Sequence, residues 1–230
     1  TAHSVNIKER LDFSCAIFDP EGNLVANAPH MPVHLGAMSE SVKEIISANK
    51  ESMRPGDAFL MNNPHRGGSH LPDLTVIAPV FAERKDPIFY TASRGHHADI
   101  GGTTPGSLPP FATSIHEEGV VIDNFRLIKD NELRLDELKN LLLDNDYPAR
   151  NLEERIADIK AQIAAVNKGI IETERLIKKY GLETVHAYMG HIRENAAESM
   201  RAALLAYLGE KEKLDLEFKD QLDNGNSISV

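Results

Sequence analysis

Two short stretches of this chain concentrate side chains that bind metals. The first is Asn62-Asn63-Pro64-His65-Arg66-Gly67-Gly68-Ser69-His70-Leu71-Pro72-Asp73, and the second is His96-His97-Ala98-Asp99-Ile100-Gly101-Gly102. Imidazoles and carboxylates suit a divalent cation, and paired glycines let backbone approach it closely. Pro72 disfavours helix at Leu71, so His70 to Asp73 reads as extended, and a bend is needed to bring both side chains to one point. Asp73 then opens an apolar run. A carboxylate at the mouth of a buried strand needs a partner, either a metal or an arginine. If 74–81 and 88–95 pair antiparallel, the start of one strand lies beside the end of the other. His70 and Asp73 then neighbour His96 and His97. Two histidines with one aspartate recur at iron, manganese and zinc sites. Adjacent histidines on an extended chain point opposite ways, so at most one of His96 and His97 is a ligand. Asp99 has four readings: a further carboxylate ligand, a general base, an acceptor that fixes an imidazole, or the cap of the turn at Gly101-Gly102.

Other polar clusters are less specific. His30-Met31-Pro32-Val33-His34 adds two imidazoles, but Pro32 between them opposes a helix. They read as loop histidines that line a cleft, as substrate contacts, or that bond to backbone. His65 and Arg66 supply positive charge for an anionic substrate group. Gly67-Gly68 resembles a phosphate loop only weakly, and no GxxxxGK[ST] pattern occurs, so no P-loop nucleotide site is expected. His116-Glu117-Glu118-Gly119 lacks the second histidine of a zincin. Cys15 is the single cysteine, which excludes an intrachain disulfide, and it reads as a small apolar residue buried in a strand.

The elements that must position these groups change in kind along the chain. Residues 1–130 carry eight of the ten histidines and read as short strands and loops around the metal site. Asp19-Pro20-Glu21-Gly22-Asn23 is a hairpin turn between 13–18 and 24–26. Met38, Val42, Ile45 and Ile46 give helical spacing over 37–50. Residues 58–61 form a strand, 74–81 a strand buried on both faces, and 88–93 its hairpin partner. Asp123-Asn124 signals a hairpin between 120–122 and 125–128. Residues 131–220 read as helical. Leu152, Ile156, Ile159, Ile163 and Val166 form one apolar stripe, with Asn151 and Glu154 as a capping box. After the stop at Gly181, Leu182, Val185, Tyr188, Met189, Ile192, Ala196, Met200, Ala203 and Tyr207 continue the pattern, which predicts packed helices with no metal ligand. Residues 221–230 read as a turn and the start of a further strand with no partner left in the sequence. The expected class is α+β, with a mixed or antiparallel sheet bearing the metal site on loops and long packed helices after it.

Composition bounds the rest. The 230 residues carry a formal net charge of −10, which argues against nucleic-acid or anionic-membrane partners. No apolar run is long enough to span a bilayer, and a reducing cytoplasm is expected. The chain opens with Thr1 rather than Met, so an excerpt of a longer polypeptide is expected.

The same residues carry a family resemblance. The chain resembles the hydantoinase B/5-oxoprolinase family, whose relatives include N-methylhydantoinases and the large subunit of acetone carboxylase. The matching segments are Ser4 to Cys15, Ala28 to Gly36, Asn63-Pro64 with Gly67 to Asp73, His96 to Gly102, and Leu152 to Ala165. The match runs almost end to end, and family members are roughly twice this length, so an internal or N-terminal portion is implied. The resemblance implies ATP-dependent hydrolysis of a small cyclic amide such as a hydantoin or 5-oxoproline, in an oligomeric complex. A partner subunit or domain of the hydantoinase A type, an actin-like ATPase, would bind ATP and phosphorylate the amide oxygen. This chain would hold the divalent metal (Mn, Zn or Fe) on His70, Asp73 and His96, with Asp99 or His97 as base or supporting acceptor. The family often has Asp-Pro-Tyr where this chain has Asn63-Pro64-His65, which bears on substrate choice. The rivals are an acetone carboxylase-like subunit and a non-catalytic structural metal-binding subunit.

Overall fold

The computed structural model describes residues 2–28, 31–209, 217–222 and 224–229. In chain order the elements are α1 (Val5–Lys8), β1 (Phe13–Phe18), β2 (Leu24–Asn27), α2 (Pro32–Asn49), β3 (Ala58–Met61), a 3-10 turn (Pro64–Arg66), β4 (Asp73–Val80), β5 (Phe89–His96), α3 (Ile115–Glu118), β6 (Phe125–Lys129), β7 (Glu132–Leu133), α4 (Leu135–Leu143), α5 (Leu152–Tyr180), α6 (Leu182–Leu208), β8 (Lys219–Gln221) and β9 (Ser227–Ser229).

The hairpin of β4 and β5 is the centre of a seven-stranded sheet ordered β2-β1-β5-β4-β3-β6-β7. Every pair in it is antiparallel. All of β4 is buried, which explains its near-continuous apolar sequence: the sheet is covered on both faces. On one face, Met38, Val42 and Ile45 of α2 pack on Phe59, Met61, Ile77, Tyr90 and Ala92. On the other, Ile156, Ile159 and Val166 of α5 pack on Leu74, Val76 and Ala78. Alternate residues of β4 therefore serve opposite layers, as strand geometry requires. Gly169 lets α5 cross the sheet closely, since a Cβ there would lie 3.0 Å from Thr91 Cγ2. The chain divides into two compact units, Thr1–Met189 and Gly190–Val230, so the first takes in β7, α4 and α5 from the stretch expected to be a helical region.

Several expectations are corrected. Helix α2 starts at Pro32, not Ala37, because proline at the first helical position loses no hydrogen bond. Asn151 does not cap α5. Its backbone is left-handed (φ 51°), and its side chain donates to Glu154 Oε2 instead. Residues 120–122 form no hairpin with 125–128. They are held instead by Asn62, which donates to the Val120 carbonyl and accepts from the Ile122 amide. The hairpin there is β6–β7, turning at Asp130 and Asn131, both at positive φ. The terminal strand β9 has a partner, because residues 219–221 are strand rather than helix. The expected long helix α6 is present and packs through its first turns. Val185 and Met189 lie against Val80, Ile88 and Phe89. Ile192, Met200 and Tyr207 are exposed, and no residue of α6 is buried. No described helix is long and apolar enough to cross a membrane.

Candidate metal centre

Asp73 is the first residue of β4 and lies directly across the ladder from His96, the last of β5. The bend that the His70–Asp73 spacing needs is present: the Asp73 amide donates to the His70 carbonyl at 3.0 Å. This turn folds His70 back over the strand mouth. Its Nδ1 lies 2.9 Å from Asp73 Oδ2, while His96 Nδ1 lies 3.2 Å from Oδ1. The two imidazoles stack with centroids 4.9 Å apart. His70, Asp73 and His96 each offer a donor atom within 4.8 Å of the other two.

Two more groups hold the carboxylate. Ser69 Oγ donates to Oδ2. His34 Nε2 lies 3.4 Å from Oδ1 and 3.6 Å from Asp12 Oδ1. The other His34 nitrogen, Nδ1, meets Ser14 Oγ at 3.1 Å. His34 was expected on a loop. It is instead buried in the first turn of α2, which drapes over the strand ends, so it supports Asp73 and does not face solvent where a substrate would arrive.

Burial alone would push the Asp73 carboxyl up. Hydrogen bonds from His34, His70, His96 and Ser69 outweigh it and hold the group well below the usual carboxylate range. The His70 imidazole is raised, chiefly by its hydrogen bond to Asp73, with burial opposing. Asp73 is thus an anion at neutral pH, completely buried, at the base of a site where His70 keeps 38% of its side chain exposed. Two imidazoles and one carboxylate, converging and open to solvent on one side, fit a divalent cation of the zinc, manganese or iron kind.

The remaining expected site residues lie elsewhere. His97 does turn away from His96: it is fully buried, and its Nε2 meets Gln162 Oε1 of α5 at 2.9 Å. Burial lowers its proton affinity and keeps it neutral. It is a buried link between sheet and helix, its ring bonded to α5 and not to Asp73. Asp99 takes the capping role. Its oxygens accept from the amides of Gly101, Gly106 and Arg150 and from the Arg150 guanidinium at 2.9 Å. Burial opposes but these bonds prevail, so the carboxyl is lowered. Both of its oxygens are engaged away from the cluster. His65 is exposed on the 3-10 turn, and Arg66 pairs with Glu44 at 3.7 Å. His30 lies outside the described residues.

Asp12, Ser69, Arg94 and Gln162 also serve the site and are not among the expected site residues. Arg94 had a readable signal, since it sits two residues before His96 on the same strand and therefore on the same face. Gln162 Nε2 donates to the carbonyls of Leu74 and Ser93, and so pins α5 to β4 and β5.

A family model for hydantoinase B/oxoprolinase matches residues 1–230. The chain belongs to this family. It is 46% identical over 233 residues to a 5-oxoprolinase of Dictyostelium discoideum, spanning all of this chain and 18% of that protein. Among solved structures it is similar to an ATP-dependent caprolactamase from Pseudomonas jessenii, with a TM-score of 0.80 at 27% identity over 94% of this chain and 36% of that one. An acetone carboxylase in its nucleotide-free form shares the fold at a TM-score of 0.70 and 22% identity, covering 82% of this chain and 24% of that one. The chain thus spans about a fifth of the length of the first of these relatives.

Proposed function

We propose that this chain carries the metal centre of an ATP-dependent hydrolase of small cyclic amides, of the 5-oxoproline or hydantoin class. A hydantoinase A-type ATPase subunit or domain would bind ATP and activate the amide oxygen by phosphorylation. One observation carries the reading: in a chain of this family, the first residue of a buried strand is a carboxylate met by two imidazoles on an exposed flank. A divalent cation held there supplies Lewis acidity toward a carbonyl oxygen or toward water. The chain's own residues do the rest. Asp73 contributes the negative charge. His70 and His96 complete the donor set. His34 and Ser69 fix the carboxylate's orientation, which limits reorganisation when charge arrives. The names of the relatives, 5-oxoprolinase and ATP-dependent caprolactamase, support a lactam-like substrate.

The test uses the full-length protein with its ATPase partner. Metal content is measured by elemental analysis, and ATP-dependent opening of 5-oxoproline is followed before and after chelation. The reading expects about one divalent ion per chain, ring opening that chelation abolishes, and recovery on adding the metal back. Turnover unaffected by complete metal removal would sink it. ATP-dependent carboxylation of acetone without ring opening would move the chain to the carboxylase branch.

A further inference from the structure

The sheet hides a second charge beneath the cluster. Arg94 is 0% exposed, yet no carboxylate lies at ion-pair distance from it among the described residues. Its donors meet only neutral oxygens: Nε reaches Thr75 Oγ1 at 2.8 Å, and the two terminal nitrogens reach Ser41 Oγ at 2.6 Å and the His34 carbonyl at 3.4 Å. A guanidinium keeps its proton in proteins, so Arg94 is a cation at neutral pH. A buried guanidinium with neutral partners is costly and would not be expected for packing alone.

Its position gives it a purpose. Arg94 pairs with Thr75 and His96 with Asp73, one alternation apart on the same sheet face, about 7 Å along the strand. Its contacts also reach the supports of the cluster. The His34 carbonyl belongs to the helix turn whose imidazole holds Asp73. Ser41 Oγ passes its own hydrogen to the Gly67 carbonyl, at the start of the loop that carries Ser69 and His70. A divalent cation on Asp73 and two neutral imidazoles leaves one positive charge, and Arg94 makes it two. If Asp12 is counted as a further anion beside His34, the sum with Arg94 is still one.

We propose that Arg94 is a positioning residue whose buried charge leaves the cation-loaded centre with a surplus positive charge, matched to a negatively charged oxygen group on the substrate. This rests on the reading of the cluster as a metal centre. The surplus weakens the hold on the cation itself and strengthens the hold on an anion beside it. For charges about 7–10 Å apart in an effective dielectric of about 20, removing one charge changes either affinity by about ten-fold or more.

The test uses full-length protein loaded with Co²⁺. Calorimetry reads Co²⁺ affinity, the visible spectrum of the cobalt protein reads azide binding, and a melting curve of the metal-free protein reads stability. Arg94→Gln is expected to bind Co²⁺ about ten-fold more tightly or better and azide about ten-fold more weakly, despite a lower melting temperature. Arg94→Lys, which keeps the charge but not the fork, is expected within about three-fold of wild type for both ligands. A merely structural arginine predicts the opposite, with Co²⁺ affinity and stability falling together in Arg94→Gln, and that result overturns the inference while leaving the metal reading intact. If Arg94→Gln does not fold, Arg94→Lys decides: lost azide binding overturns the inference, and retained binding with lowered stability supports it. Wild-type protein that takes up no Co²⁺ overturns both the inference and the metal reading.

Discussion

Asp73→Asn tests the centre of the argument with the smallest change of shape. The wild-type carboxylate accepts from Ser69 and faces three imidazoles, of His34, His70 and His96, while completely buried. An asparagine keeps one carbonyl oxygen but turns the other position into a donor against donors. At least one partner then loses its acceptor, and the buried Arg94 cation loses the nearby negative charge that opposes its desolvation. Breaking a buried charge partnership of this kind costs about 3–5 kcal/mol. For a protein of this size each kcal/mol lowers the melting temperature by about 2–4 °C, so a drop of about 10 °C is expected in metal-free protein. Metal affinity should fall more than about 100-fold, beyond the loss typical when only a supporting residue is removed. The pH dependence has a definite sign. The folded carboxyl lies below its unfolded value of about 3.9, so the unfolded chain binds the extra proton. Asp73 therefore contributes stability above about pH 4 that is lost progressively as pH falls below it. The stability gap between wild type and Asp73→Asn, measured by denaturant titration with chelator present, should be wide at pH 6 and narrow toward pH 3. A fall of less than about 3 °C, with metal affinity within three-fold of wild type, would refute the reasoning.

Three other substitutions separate the site from its scaffold. Gly67→Ala should cost about 1–3 kcal/mol and lower metal affinity, because φ is +84° and a Cβ would sit 2.6 Å from the Glu40 carbonyl carbon, forcing the loop of Ser69 and His70 off α2. Thermal melts and Co²⁺ titration read both effects. Gln162→Leu takes the one hydrogen bond from the buried His97 imidazole and a second donor from the Leu74 and Ser93 carbonyls, so a loss of about 1–3 kcal/mol is expected. Co²⁺ affinity should stay within about three-fold, and a large drop would place His97 in the site after all. Asn62→Ala should cost a similar amount, because its side chain serves the Leu71 and Val120 carbonyls and the Ile122 amide; hydrogen exchange is expected to report the loosening at 120–122 first.

The hairpin that unites the two histidine clusters was legible because its signals are local. An apolar run, a polar turn and a second run fix β4 and β5, and antiparallel pairing alone then brings Asp73 to His96. What was not legible depends on tertiary placement. Pro32 argued against a helix between His30 and His34, yet at the first helical position it starts one. No spacing rule says that this helix end lies over the strand mouths and lends His34 to Asp73. The same holds for Asp99, whose cap and catalytic readings use the same acceptor chemistry. Only the arrival of Arg150, far along the chain, decides that both its oxygens are engaged. The apolar spacing of α6 correctly gave a helix, but spacing cannot say whether a face is covered. Ile192, Met200 and Tyr207 are exposed.

Register joins the readable part to the unreadable part. Because strand side chains alternate, sliding β4 by one residue against its neighbours would move Asp73 from the α2 face to the α5 face. The donor set exists only because Ile77 belongs under Met38 and Val42, while Leu74, Val76 and Ala78 belong under Ile156, Ile159 and Val166. Those apolar choices, made along the length of the strand, aim the carboxylate at its end. Arg94 and Thr75 share that face with His96 and Asp73, so the same register that places the donors also places a buried cation one step beneath them. A substitution that exchanged the two faces, such as swapping Val76 with Ile77, would disturb packing only slightly in volume. Val76→Lys would put an unpaired charge among the apolar residues beneath α5, and slipping would only carry it under the equally covered α2 face, so the packing that aims the strand end is loosened. Its expected signature is loss of Co²⁺ binding with the helix content retained, whereas a protein that keeps both would show that the donor geometry does not depend on the core beneath it.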